Sequence, residues 1–98
     1  MAICNIVEYQ YLADVKGKSA QCGLHDGNET ITNKSYDAAT DHVLQGKTNF
    51  VRLKPDTLLY WTVGGTADTT NGSKLLADET EVFGVNPGST LSLYDGTS

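Results

Sequence analysis

The stretch T-E-V-F-G-V-N-P-G-S-T-L-S-L-Y, residues 80–94, decides the fold class. Val82, Phe83 and Val85 put β-branched and aromatic residues on one arm, and Leu91, Leu93 and Tyr94 put apolar ones on the other. That is the composition of half-buried strands. Between the arms, Asn86-Pro87-Gly88-Ser89 is a turn with a mechanism. Pro87 fixes φ at the first central position, and Gly88 supplies the positive φ that a type II turn needs at the second. The stretch therefore reads as a β-hairpin with the rest of the chain as its partners.

Upstream of it, Lys74-Leu75-Leu76-Ala77 re-enters the core after a long polar loop at 64–73. That loop holds Gly64, Gly65, Thr66, Asp68, Thr69 and Asn71, and it is the segment expected to move or to touch a partner. Residues 58–63 form the most hydrophobic strand, with Leu59, Trp61 and Val63 on one face and Leu58, Tyr60 and Thr62 on the other. A strand apolar on both faces is covered on both sides. Either the domain itself covers it, or Leu58 and Tyr60 meet a neighbouring subunit. Trp61→Ala is expected to be the most damaging single change.

Residues 48–54 alternate cleanly, Val51 and Leu53 inward, Arg52 and Lys54 outward, until Pro55 ends the ladder. Residues 36–45 read as a loop, with one helical turn capped by Asp37 as the alternative, leading into a short strand at 42–45. Residues 29–35 suit a Thr-rich edge strand that buries Ile31. Ala20, Cys22 and Leu24 alternate with Ser19, Gln21 and Gly23. At 3–9, Ile3, Val7 and Tyr9 share one face, and Cys4, Ile6 and Glu8 the other. The tail at 95–98 is small, polar and expected to fray. With about seven or eight short strands, the chain reads as one all-β domain over residues 1–98, an antiparallel sandwich or a small barrel.

Charge and composition exclude several classes. The net charge is −5 and the seven Lys and Arg are scattered, so no basic patch offers itself to phosphates and nucleic acid is not an expected partner. No apolar run approaches the length of a membrane span. The opening M-A-I-C-N-I-V-E-Y lacks a basic n-region and meets a Glu at position 8. It does not read as a signal peptide, and folding in a cytoplasm is expected. In that setting Cys4 and Cys22 read as reduced core or half-core thiols, with a bridge between them as the alternative if the first strands pair.

The search for chemistry finds little. His25 and His42 stand among loop-type residues, and neither H-x-x-x-H nor C-x-x-C spacing supports a metal. Asp37 and Asp41 have i, i+4 spacing, which loop solvation and turn capping explain. Asp26-Gly27-Asn28 lacks the frame of a calcium loop, and Gly64-Gly65-Thr66 lacks the Lys-Ser/Thr of a phosphate loop. No G-x-S-x-G context activates a nucleophile. No enzyme, cofactor or metal is expected. The N-x-S/T triplets at Asn28, Asn33 and Asn71 carry no glycan expectation without a secretory signal. Tyr9, Tyr11, Tyr36, Tyr60, Trp61 and Tyr94 keep a carbohydrate-binding module as a rival class.

The layout of the whole chain nonetheless resembles a loose group of small virion structural proteins of tailed bacteriophages and prophages. The features that carry the resemblance are I-V-E-Y at 6–9, T-N-F-V-R-L at 48–53, T-A-D-T-T at 66–70 and, most strongly, L-A-D-E-T-E-V-F-G-V-N-P-G at 76–88. Ser92-Leu93 follows that last stretch, and Val82 stands where the group usually has an aromatic. The resemblance implies a viral capsid decoration (cement) protein that binds the head shell, without catalytic residues. Its partners would be the major capsid protein or other virion proteins, with copies of itself in a homo-oligomer and the virion as its location. Leu58 and Tyr60 are then candidates for the subunit contact, and Gly64, Gly65, Thr66, Asp68, Thr69 and Asn71 for the capsid contact. A tail, fibre-base or head–tail junction subunit would share these features.

Overall fold

The computed structural model describes residues 2–10, 12–15, 18–23, 29–37 and 40–97. Among them there are ten strands and no helix: β1 (Ala2–Tyr9), β2 (Leu12–Val15), β3 (Lys18–Gly23), β4 (Thr30–Tyr36), β5 (Thr40–Val43), β6 (Phe50–Pro55), β7 (Leu59–Val63), β8 (Ser73–Leu75), β9 (Glu81–Gly84) and β10 (Thr90–Asp95). Eight of them form two four-stranded antiparallel sheets, ordered β4-β1-β6-β9 and β5-β10-β7-β8, while β2 and β3 form a separate ribbon. The sheets pack face to face as a small β-sandwich, the fold class expected from the strand pattern. His25, Leu24 and the Asp26-Gly27-Asn28 cluster lie outside the described residues, as does most of the helical-turn alternative after Asp37.

The core follows from alternation. Ala2, Cys4 and Ile6 of β1, Tyr36 of β4 and Val51 and Leu53 of β6 point inward from one sheet. Leu59 of β7, Leu75 of β8 and Leu91 and Leu93 of β10 meet them from the other. Burying each such leucine contributes about 1.5–3 kcal/mol. Trp61 and Phe83 stack across the sheets at 4.3 Å with ring planes 15° apart. They sit at the margin of the core, partly buried, so Trp61 is inward-facing but less deeply buried than Leu59, Leu91 or Leu93. Cys4 is a free, fully buried thiol, and burial pushes its pKa up to about 12. It is therefore held in the unreactive protonated form.

The decisive stretch is not a hairpin. Its turn has the expected chemistry: Ser89 N–H donates to Asn86 O at 3.2 Å, and Gly88 has φ +78°. Yet among the described residues β9 pairs only with β6, and β10 pairs with β5 and β7, so the turn arches from one sheet to the other. The reason lies in what the turn holds. Gly88 N–H donates to Gln45 O, Ser89 O accepts from Leu44 N–H, and Val85 N–H donates to Asn49 O. These bonds commit the turn to the β5–β6 connection and leave its two arms free to diverge.

Other local expectations are corrected too. β4 is an edge strand as expected, but Ile31 is 60% exposed on the outer face and Tyr36 is the residue it buries. The alternation of β4 puts Lys34 on the inner side of this edge strand, a device that discourages edge-to-edge pairing. The short strand expected at 42–45 begins earlier, at Thr40. The tail is held as far as Gly96, whose N–H donates to Leu58 O at 2.9 Å. A Cβ at Gly96 would stand 2.7 Å from Leu58 Cγ and 2.8 Å from Tyr60 Cε2.

Candidate functional site

The loop at 64–73 lies across the outer face of the β5-β10-β7-β8 sheet. Gly64, at φ +81°, donates its N–H to Thr90 O at 3.0 Å as the chain leaves β7. Ala67 is 1% exposed and donates its N–H to the buried Ser92 Oγ at 2.9 Å. Asp68 then folds the tip, its Oδ1 accepting from Thr70 N–H at 2.8 Å and Asn71 N–H at 2.7 Å. Those N–H groups, Asn71 first, hold the Asp68 carboxyl below its usual pKa. Gly72 closes the loop against the strand, since a Cβ there would stand 3.0 Å from Asp68 O and 3.1 Å from Tyr60 Cβ. The loop is thus tied down by its own backbone and by Ser92.

The eight residues singled out in the sequence are only partly gathered. Gly64, Gly65, Thr66, Asp68, Thr69 and Asn71 share this loop, and Tyr60 lies beneath it, between Gly72 and Gly96. Leu58 sits toward the other end of the strand, under Gly96. Both apolar residues are half-buried, so the chain itself provides much of their cover. Gly64, Gly65, Thr66, Thr69 and Asn71 are exposed.

A second constellation escaped the sequence reading. Glu8 lies on the inward face of β1 and is 2% exposed. Its Oε1 accepts from Gln45 N–H and from Thr48 Oγ–H, both at 2.8 Å, and its Oε2 accepts from His42 Nε2–H at 3.2 Å. Burial raises the pKa of this carboxyl, but the bonds from His42, Gln45 and Thr48 outweigh it and leave the pKa below the ordinary value. The warning in the sequence was a single acid within I-V-E-Y, since a charge in an apolar run needs partners. Its donors stand 34 to 40 residues away, and nothing local announces them.

Glu8 thereby organises one end of the sandwich. It pins the β5–β6 connection, whose Gln45 O takes N–H groups from Thr48 and Gly88. The arch at 86–89 is joined to this connection, and the start of the 64–73 loop is joined to Thr90 just beyond it. A shallow open depression lies here between the sheets, lined by Asn49, Val63, Gly84, Val85, Asn86 and Ser89. Val43, 67% exposed, stands at the same end. Among the described residues no group of His, Cys, Asp and Glu has the arrangement of a metal site. In comparisons with protein-family models, curated proteins and solved structures, nothing matches this chain.

Proposed function

We propose that this chain is a non-catalytic structural subunit of a tailed-phage particle, a capsid decoration protein that docks on the head shell and reinforces it. One observation carries the reading. The segment with the strongest phage resemblance, 76–88, supplies the arch that is tied to the β5–β6 connection at the Glu8 end. That end is pre-organised by backbone hydrogen bonds and exposes Val43, Val63, Gly64, Gly65 and Thr66. A surface fixed before contact loses little conformational entropy on docking, which favours a permanent joint over a transient one. The half-exposed Leu58 and Tyr60, with the tip residues Asp68, Thr69 and Asn71, remain the candidates for contacts between copies or with the shell.

The test is co-sedimentation of the purified chain with phage shells lacking their decoration protein. Saturable binding and greater heat resistance of the shells are expected. Val43→Asp should weaken binding without changing the melting temperature, because the charge would be desolvated only on docking. A chain that stays in the supernatant at every concentration defeats the decoration reading, and a tail or head–tail junction role then becomes the one to pursue.

A further inference from the structure

We propose that Glu8 is an acid-sensitive latch, which holds the β5–β6 connection and the 86–89 arch closed over one end of the sandwich and releases them when its carboxylate takes up a proton. The geometry favours the ionised form. Three donors converge on the two carboxylate oxygens: His42 Nε2–H, Gln45 N–H and Thr48 Oγ–H. A carboxylic acid carries a hydrogen on one of those oxygens: on Oε1 it meets the Gln45 N–H, and on Oε2 it meets His42 Nε2, a donor whenever that nitrogen holds its hydrogen. At 2% exposure there is little water to repair the mismatch.

What the latch holds is joined in series. Gln45 donates to Glu8 while its own O accepts from Gly88 N–H, and Leu44 N–H donates to Ser89 O. Loss of the Glu8 contact therefore loosens both segments together and uncovers Leu44, which is otherwise buried. Few other charges stand near. His42 is the titratable group in contact, on β5, whose Asp41 is turned outward and exposed. The connection carries Lys47, which is exposed, and residues 86–89 carry none. Beside Glu8, β4 offers Thr30 and β6 offers Val51, with Arg52 on the opposite face. On β1 itself, Tyr9 points away from Glu8. From β10, Leu91 is paired to His42.

The sign is fixed by linkage. The closed state lowers the carboxyl's pKa, so closure is complete above the ordinary carboxylate midpoint and is lost as pH falls through the lowered one. Amide hydrogen exchange of the full chain, followed by NMR from neutral to acid pH, tests this. Protection factors at Gln45 and Gly88 should fall about tenfold per pH unit between the two midpoints, while Leu93 at the centre of its sheet stays protected. Glu8→Gln keeps the size and has no proton to gain, so protection at Gln45 and Gly88 should be low and independent of pH. If that variant does not fold, Thr48→Val removes one donor to Oε1 and should move the loss of protection to higher pH. Wild-type protection at Gln45 and Gly88 that tracks Leu93 until global unfolding overturns the proposal. So does a Glu8→Gln profile like that of wild type, or a Thr48→Val profile that does not move.

Discussion

Glu8 and Asp68 are both carboxylates that gather N–H donors, and both have pKa values below the ordinary range. The difference is reach. Asp68 binds Thr70 and Asn71, two and three residues on, and shapes only the tip of its own loop. Glu8 binds His42, Gln45 and Thr48 across the sandwich and fixes how two sheets are joined. Burial completes the contrast. Water stands ready to replace the bonds of Asp68, whereas the donors on Glu8 have few alternatives once it is gone. Similar donors around a carboxylate therefore do not mean equal consequence.

The sharpest way to break this comparison is Glu8→Ala. With His42, Gln45 and Thr48 left facing a cavity, the loss should be about 3–5 kcal/mol, read from urea unfolding at neutral pH. At acid pH the difference from wild type should shrink, because the wild-type carboxyl then contributes less. A loss no larger than that of a surface substitution would put Glu8 in the same class as Asp68.

Gly72→Ala probes the other region where its loop closes against the strand. The added methyl meets the backbone oxygen of Asp68 and Tyr60 Cβ, so overpacking should cost about 1–3 kcal/mol in thermal unfolding. Cost above that of Glu8→Ala would reverse the ranking. Gly88→Val tests the arch that hangs on Gln45. A β-branched residue resists a φ of +78°, at about 1–2 kcal/mol in a chemical melt, and unchanged stability would mean that the arch yields readily. The smallest effect is expected from Asp68→Asn. Its melting curve should overlay that of wild type, with faster amide exchange confined to Thr70 and Asn71. A lower melting temperature would show that the tip supports the sheet beneath it.

The same contrast governs what the sequence made legible. Local rules served well: the type II turn at 86–89, the alternation of Val51 and Leu53, the ladder ending at Pro55 and the inward face of Trp61 were all readable from neighbours. Pairing was not, because a turn dictates its own φ and ψ but not the sheet that each arm joins. From its neighbours alone the arch therefore reads as a hairpin. Hydrophobicity alone points to Ile31 as the buried residue of β4, because it gives no sign of which face of a Thr-rich edge strand turns inward. Of the candidate contact residues, six shared a loop by sequence continuity alone, whereas the Glu8 cluster is assembled entirely by tertiary pairing.

The order of the strands has a consequence for how the chain acquires its shape. β10 is central in its sheet, flanked by β5 and β7, and it comes last of all the strands. Until residues 90–95 have left the ribosome, β5 and β7 have no mutual partner and Leu59 has no Leu91 or Leu93 to pack on. The other sheet fares little better, because β1 waits for β4 and β6. Native pairs such as Leu93 with Thr40 and Cys4 with Pro55 therefore join residues about half the chain apart, the condition under which folding is slow. During synthesis the nascent chain holds unpaired, β-prone segments and depends on staying soluble until its final strand closes the sandwich.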